Sequence, residues 1–366
     1  PVSPYLDRLA ERAVVFKRVY ATASSTLRSL PAAMTGRYAE ELVRTRGDLG
    51  LRFGRANVLL PERLQQAGWR STLVPGCYEM MPQKGISQGI DTVLWDAITG
   101  RATGFDPTDA RIADRVIGQL QMLGERGGPF FLWAHFVDPH HPYQAHAEVE
   151  GIGSRSGDLG LYWREVAWTD RQIGRVIHAI EGLPAARRNR TVVIVTSDHG
   201  EAFGEHGHYQ HSTDLWEEMI RVPLLIWIPG LEPREVDTPR SLVDLAPTIL
   251  DLARLPHPPP GQPDTMTGRS LVPDLLGFLP QKRVVYGELP IESDARADTR
   301  ILVDGSWKLR QRGADVALFD LGSDPGEQVN VASGFPAELT RMRALLAGFR
   351  ARLRIVAPVA SPPADW

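Results

Sequence analysis

The stretch VIVTSDHGEAFGEHGHYQH, residues 193–211, decides how the chain is read. An apolar run, TVVIVTS, ends abruptly in Asp198 and His199, and His206, His208 and His211 follow with Glu201 and Glu205 among them. Continuous apolar runs without polar alternation mark strands buried on both faces. In an α/β sheet, ligands gather outside the carboxyl ends of such strands. The acid and the imidazole therefore stand where that architecture puts its chemistry.

Outward from this stretch, VPLLIWIPG (222–230) and PFFLWAHFV (129–137) are two more buried strands, the latter ending at Asp138. SPYLDRLAERAVVF (3–16) reads as a short helix running into a strand, and PERLQQAGW followed by STLVPG repeats that order. Residues 108–124 place Ile112, Val116, Leu120 and Leu123 on one helical face, and 161–181 form a long amphipathic helix. Strands alternating with helices predict an α/β fold with a mostly parallel sheet flanked by helices on both faces. A seam rich in proline and glycine, RLPHPPPGQPDTMTG (254–268), divides a catalytic segment, 1–258, from a smaller α+β subdomain, 259–355. In the latter, RVVYGEL, TRILVDGSWKLRQR and VALFDL alternate like antiparallel strands before a helix over 336–354. Residues 356–366 read as a loose tail.

Composition narrows the function. The chain has 366 residues, 43% of them hydrophobic and 23% charged, which is ordinary for a globular protein. A net charge of −3 with no basic run leaves no electrostatic footprint for nucleic acid. Cys77 is the sole cysteine, so an intrachain disulfide and a thiolate zinc cage are both excluded. No apolar run approaches the length of a membrane span. Pro1 stands in place of an initiator methionine, so the sequence is silent on targeting.

Eight of the ten histidines fall in two windows, 135–146 and 199–211. Asp198 beside His199 suits a divalent ion of borderline hardness, zinc or manganese, more than magnesium or calcium. HExxH is absent, so further ligands must come from distant segments. Thr26 lies in SSTLRSLPAAMTG just before a helix, where free backbone N–H groups favour an anion. A bare threonine hydroxyl is a poor nucleophile, and coordination to a metal lowers its pKa. His146, His206 and His208 read individually as structural. DPHHP (138–142) reads as a rigid loop in preference to a second metal site built on Asp138, His140 and His141.

Taken together these segments resemble the sulfatase branch of the alkaline phosphatase superfamily. TSDHGEAFGEHGHYQHSTDLWEEMIRVPLLIWIPG is similar to its metal-binding segment, and SSTLRSLPAAMTGRY to its nucleophile segment. AHFVDPHHPY resembles its Asp-Pro-His segment, LFDLGSDPGEQVN its C-terminal strand-turn signature, and SLVDLAPTILDLARL the close of its catalytic domain. The resemblance implies an alkaline-phosphatase-like fold and one divalent metal (Mn, Zn, Ca or Mg). It implies that Asp198 and His199 are metal ligands. In this family the reactive residue stands nine positions before a Thr-Gly pair, and Thr35-Gly36 puts it at Thr26. His140 then contacts the transferred group or assists the leaving oxygen, and His211 stands where relatives carry a lysine facing the anion. Ser29 and Arg28 lie within the nucleophile loop as substrate-binding candidates, with a solvated Arg28 as the alternative. The implied substrate is a small anionic ester and the implied location extracytoplasmic. A membrane tether upstream of residue 1 stays open, and the oligomeric state is not legible.

Two departures from the family pattern matter. Family sulfatases carry Cys or Ser at the nucleophile position, converted to formylglycine, and threonine cannot be converted. Ser24 opens a Ser-x-Thr-x-Arg run but is two residues out of register with Thr35-Gly36. The family's first strand, which brings one or more aspartates to the metal, is expected before Pro1. Three readings follow: a phosphodiesterase, phosphonate-ester hydrolase or phosphotransferase; a sulfuric ester hydrolase; and a non-catalytic, degenerate binding domain.

Overall fold

The computed structural model describes residues 2–47, 50–95, 109–149, 151, 156–279, 281–290 and 298–357. From residue 358 on, the expected loose tail lies outside the described residues. The chain forms two compact units interleaved in sequence. The first comprises Pro1–Val14, Leu59–Ile194 and Leu225–Arg234, and the second Val15–Val58, Val195–Leu224 and Glu235–Trp366.

In the first unit, strand Arg70–Val74 pairs in parallel with Thr92–Val93 on one side and Phe130–Ala134 on the other. The helix expected over 108–124 is Asp109–Arg126. Its four-residue spacing brings Ile112, Val116 and Leu120 onto one face, where they pack with Val74, Ile180 and Leu183. The long helix runs Gly157–Glu181. From it Asp170 accepts the backbone N–H groups of Tyr5 (3.0 Å) and Leu6 (2.8 Å), two donors that helix Pro4–Ala10 cannot satisfy internally.

The strand expected to reach Asp138 stops at Ala134, because carboxylates take over its backbone donors. Asp109 Oδ1 accepts the N–H groups of Val137 (2.9 Å) and Asp138 (3.2 Å). Glu165 accepts those of His140 (3.2 Å) and Gln144 (2.6 Å). Burial, reinforced by Asp138 and Asp109, pushes the Glu165 carboxyl up to about 9.

In the second unit, the sheet that contains Val14–Tyr20 pairs Val19 and Tyr20 in parallel with Arg240 and Ser241. Past the end of Val193–Thr196, Gly200 N–H donates to Met219 O (2.8 Å) and Glu201 N–H to Glu218 O (3.1 Å), carbonyls of the short helix Glu217–Ile220. Helix Thr26–Thr35 ends at Gly36, whose φ of 68° is the left-handed stop that glycine adopts without penalty. The C-terminal strands form the expected antiparallel sheet, Val285–Leu289, Thr299–Asp304, Trp307–Arg312 and Asp315–Asp320 in that order. Helix Pro336–Arg350 lays Met342 and Leu346 on Tyr286, Leu302, Leu309 and Leu318. No helix among the described residues is long and apolar enough to cross a membrane.

The raised Glu165 carboxyl makes a pH prediction. The folded state keeps a proton that the unfolded chain loses above pH ~4.3. The stability Glu165 contributes is thus full below that pH and falls as pH rises toward about 9. Glu165→Gln loses one acceptor, so the variant is less stable than wild type at pH 5. By urea denaturation the gap narrows by up to about 1.4 kcal/mol per pH unit through pH 8. A gap that stays constant with pH contradicts a protonated Glu165.

Candidate active site

The polar loop that precedes helix Thr26–Thr35 enters it through Ser25 in extended conformation (φ −149°). Thr26 thus occupies the first turn, where backbone N–H groups lack intrahelical partners and the positive end of the helix dipole lies. Ser212 ties this loop to the histidine-rich segment: its N–H and its hydroxyl both donate to Ser24 O, at 2.8 and 3.2 Å.

Strand Val193–Thr196 delivers Asp198 and His199 to the same place. The turn that follows is fixed by the hydrogen bonds of Gly200 and Glu201 to the carbonyls of Met219 and Glu218. Gly200 is required there, since a Cβ would lie 2.1 Å from Glu218 O. His199 Nδ1 lies 2.9 Å from Gly200 O. A carbonyl only accepts, so Nδ1 carries the proton and Nε2 the lone pair. That lone-pair nitrogen is 3.2 Å from Thr26 Oγ1 and 3.6 Å from Asp198 Oδ2. Side-chain exposure is only 9% for His199 and 14% for Asp198, so their mutual electrostatics are weakly screened.

A second imidazole packs against the first. The ring centroids of His199 and His211 are 4.4 Å apart, tilted by 36°. His211 Nδ1 lies 3.0 Å from Glu201 Oε1, on a side chain only 5% exposed. The hairpin register explains the pair: Ala202 opposes Gln210 and Phe203 opposes Tyr209, which sets 201 opposite 211. Glu201 was not singled out from the sequence, because its partner ten positions away is visible only once that register is known.

The donor set fits a divalent ion. Oxygen and nitrogen ligands bonded at ~2.0–2.4 Å to one ion stand about 3–4 Å apart. His199 Nε2 keeps that spacing to both the Thr26 hydroxyl and the Asp198 carboxylate, and the mixture of donors suits zinc or manganese.

Of the sequence candidates, the structure brings Thr26, Asp198, His199 and His211 together. Ser29 (0% exposed) and Arg28 (4%) are buried on the Thr26 helix, which removes the solvated reading of Arg28. His140 belongs to the first unit, where its N–H donates to Asp138 O (2.7 Å) and Glu165, and its Nδ1 lies 2.6 Å from His141 O. Asp138 Oδ2 accepts the Asp109 N–H (3.1 Å), the work of a loop brace. His146 stacks on Trp168 at 4.9 Å, and His208 lies 3.1 Å from Thr213 Oγ1 and 3.6 Å from Asp214. Both contacts suit the structural role read for these two residues.

Gly200→Ala tests the turn. The new methyl forces Glu218 O away and breaks its hydrogen bond from Glu201 N–H, so His199 and Glu201 shift together. The expected outcome is destabilisation by about 1–3 kcal/mol. In contrast, Gly118→Ala, on helix Asp109–Arg126 with nothing within 4 Å of its Cβ, is neutral or stabilising. Equal denaturation midpoints for the two variants contradict this reading of Gly200.

Comparison with known proteins agrees with the geometry. The sulfatase family model matches residues 1–255, and a second model, "N-sulphoglucosamine sulphohydrolase, C-terminal", matches 204–346. The uncharacterized sulfatase YidJ of Escherichia coli (strain K12) is 32% identical over 262 residues, 60% of this chain and 50% of that protein. A 2-O GAG sulfatase structure superposes with a TM-score of 0.78 at 20% identity, covering 99% of this chain and 90% of the other. The phosphonate monoester hydrolase of Silicibacter pomeroyi gives 0.75 at 21% identity, covering 97% and 91%. The chain spans between a third and a half of the length of the curated relatives it matches. Because the family match runs through the segment of Thr26 and that of Asp198 and His199 alike, the chain belongs to the sulfatase family of the alkaline phosphatase superfamily.

Proposed function

We propose that the chain is a metal-dependent hydrolase of sulfate or phosphate esters that uses Thr26 as its nucleophile. The observation that supports this most is Thr26 Oγ1, at a helix start, 3.2 Å from the lone-pair nitrogen of His199 with Asp198 beside it. Enzymes of this family are metal-dependent. A divalent ion held by Asp198, His199 and Thr26 supplies the Lewis acidity that makes a hydroxyl reactive near neutral pH and offsets charge on the transferred group.

The chain's own residues divide the remaining work. The contact between His199 Nδ1 and Gly200 O holds the ring so that Nε2 faces Thr26. Thr26 Oγ gives up its proton to solvent and attacks phosphorus, the P–Oγ bond forms, and the bond to the alcohol oxygen breaks. His140, assigned on its motif, gives the proton that the alcohol takes up. His211, held by Glu201, and the buried Arg28 and Ser29 are assigned to the nonbridging oxygens. Water then attacks phosphorus and gives one proton back to His140, while the bond to Thr26 Oγ breaks and that oxygen takes a proton from solvent.

Threonine tilts the chemistry toward phosphoryl transfer. A formylglycine hydrate sheds sulfate by re-forming its aldehyde, whereas a sulfated threonine has no such route and needs direct attack by water. Sulfate monoesters and phosphodiesters each carry one negative charge, so charge recognition alone does not separate them. The likeness to a phosphonate monoester hydrolase supports this reading. The family model and the 2-O GAG sulfatase likeness favour a second one, sulfuric ester hydrolysis. The third, a non-catalytic binding domain, predicts no turnover of either ester. The proposed substrate is a small anionic ester, and the family resemblance favours an extracytoplasmic place of action.

The test is parallel turnover of nitrophenyl sulfate and a nitrophenyl phosphodiester by the full-length protein. The expected result is a higher kcat/KM for the phosphodiester and a loss of about 10³-fold or more for both esters in Thr26→Ala. Cleavage of the sulfate alone, or full activity without the Thr26 hydroxyl, contradicts the proposal.

A further inference from the structure

The candidate site leaves His206 unused. His206, Glu218 and Glu327 each present one ligand-type atom, and these atoms all lie within 4.8 Å of one another. They come from three separate segments: the turn Glu205–Gly207, the helix Glu217–Ile220 and the loop after strand Asp315–Asp320. His206 (φ 51°) and Glu327 (φ 52°) both hold left-handed backbone, which costs a residue with a side chain roughly 1 kcal/mol or more.

The histidine is prepared as a ligand. Its ring lies flat on Trp216, with centroids 3.7 Å apart and planes within 7°. Its Nε2 is 3.1 Å from Gly326 O, and because a carbonyl only accepts, Nε2 carries the proton. In that tautomer the lone pair an ion needs is on Nδ1. Metal-bound histidines characteristically give their other N–H to a backbone carbonyl in this way, which fixes tautomer and orientation.

The carboxylates are equally prepared. Glu218 Oε1 is a buried oxygen with no hydrogen-bond partner. The Glu327 side chain has no exposed surface: one oxygen accepts the Glu217 N–H (2.7 Å), and the other meets the Lys308 ammonium at 2.9 Å. Lys308 opposes a second cation, and the sum of charges decides which effect wins. Lys308 pairs with both Glu217 (3.1 Å) and Glu327, so one negative charge is already in excess, and Glu218 adds another when ionised.

We propose that His206, Glu218 and Glu327 bind a divalent cation of borderline hardness, zinc or manganese, at a second site with no ligand in common with Asp198, His199 and Thr26. One imidazole nitrogen and two carboxylates favour these ions over calcium or magnesium, which prefer oxygen alone. The ion cross-links the loop carrying Glu327 to the histidine-rich segment.

The test uses the full-length protein with Asp198→Asn and His199→Gln, which removes the candidate catalytic ligands. After chelation, zinc and manganese binding is measured by equilibrium dialysis with elemental analysis. One bound equivalent, with a raised thermal midpoint, is expected. Adding His206→Gln abolishes that equivalent, and adding Glu218→Gln instead weakens it at least about tenfold. X-ray absorption of the zinc form checks the site without a fold-sensitive variant, and one nitrogen with oxygen neighbours is expected. No bound equivalent in the Asp198→Asn/His199→Gln protein, or an unchanged one after His206→Gln, overturns the proposal. Those same results leave the role of Thr26 untouched, since its ligands are absent from every variant used.

Discussion

The candidate site depends on one approach, that of the Thr26 hydroxyl to within 3.2 Å of His199 Nε2. The two residues are 173 positions apart in the chain, so the contact exists only because the backbone enforces it. Three features do so. Ser212 binds Ser24 O two residues before Thr26, helix Thr26–Thr35 starts immediately after that anchor, and Gly200 lets Glu218 O close the turn behind His199. Each is a backbone constraint, and none relies on a flexible side chain to hold the geometry. Such rigidity suits a group that has to be oriented before it reacts.

Buried charge is organised around the same segment. Asp214, three residues past His211, pairs with Arg310 and Arg312 of the C-terminal sheet, and Arg310 also lies over the Trp216 ring at 4.2 Å. Glu217 and Glu327 share Lys308, which has no exposed surface. Breaking a buried pair from one side leaves an unpaired charge at a cost of about 3–5 kcal/mol. These pairs fix the C-terminal sheet against the chain that carries Asp198, His199 and His211. The sheet thereby helps position the site although none of its own residues is among the candidates.

Much of the fold was legible in the sequence, because the signals were periodic or continuous. Ile112, Val116 and Leu120 at helical spacing mark helix Asp109–Arg126. The apolar runs at 193–196 and 221–227 are strands, and the alternating runs past residue 284 form the antiparallel sheet. The end of strand Phe130–Ala134 was not legible, since distant Asp109 and Glu165 capture the donors that follow it. In the site, Asp198 and His199 were visible as an acid and an imidazole at a strand end. Thr26 was visible only through the family pattern, because a threonine in a polar loop carries no chemistry by itself. Glu201 needed the hairpin register, and His206 needed Trp216, Gly326 and Glu327, which only the folded chain brings to it.

A covalent nucleophile leaves a trace that structure alone does not provide. The most direct measurement is rapid acid quench of the full-length protein during turnover of a phosphodiester or phosphonate ester, followed by peptide mass spectrometry. A phosphoryl or phosphonyl group on Thr26, absent before substrate is added and lost as turnover ends, is the predicted result. An adduct on a different residue, or steady turnover with Thr26 unmodified at every quench time, would contradict the central assignment.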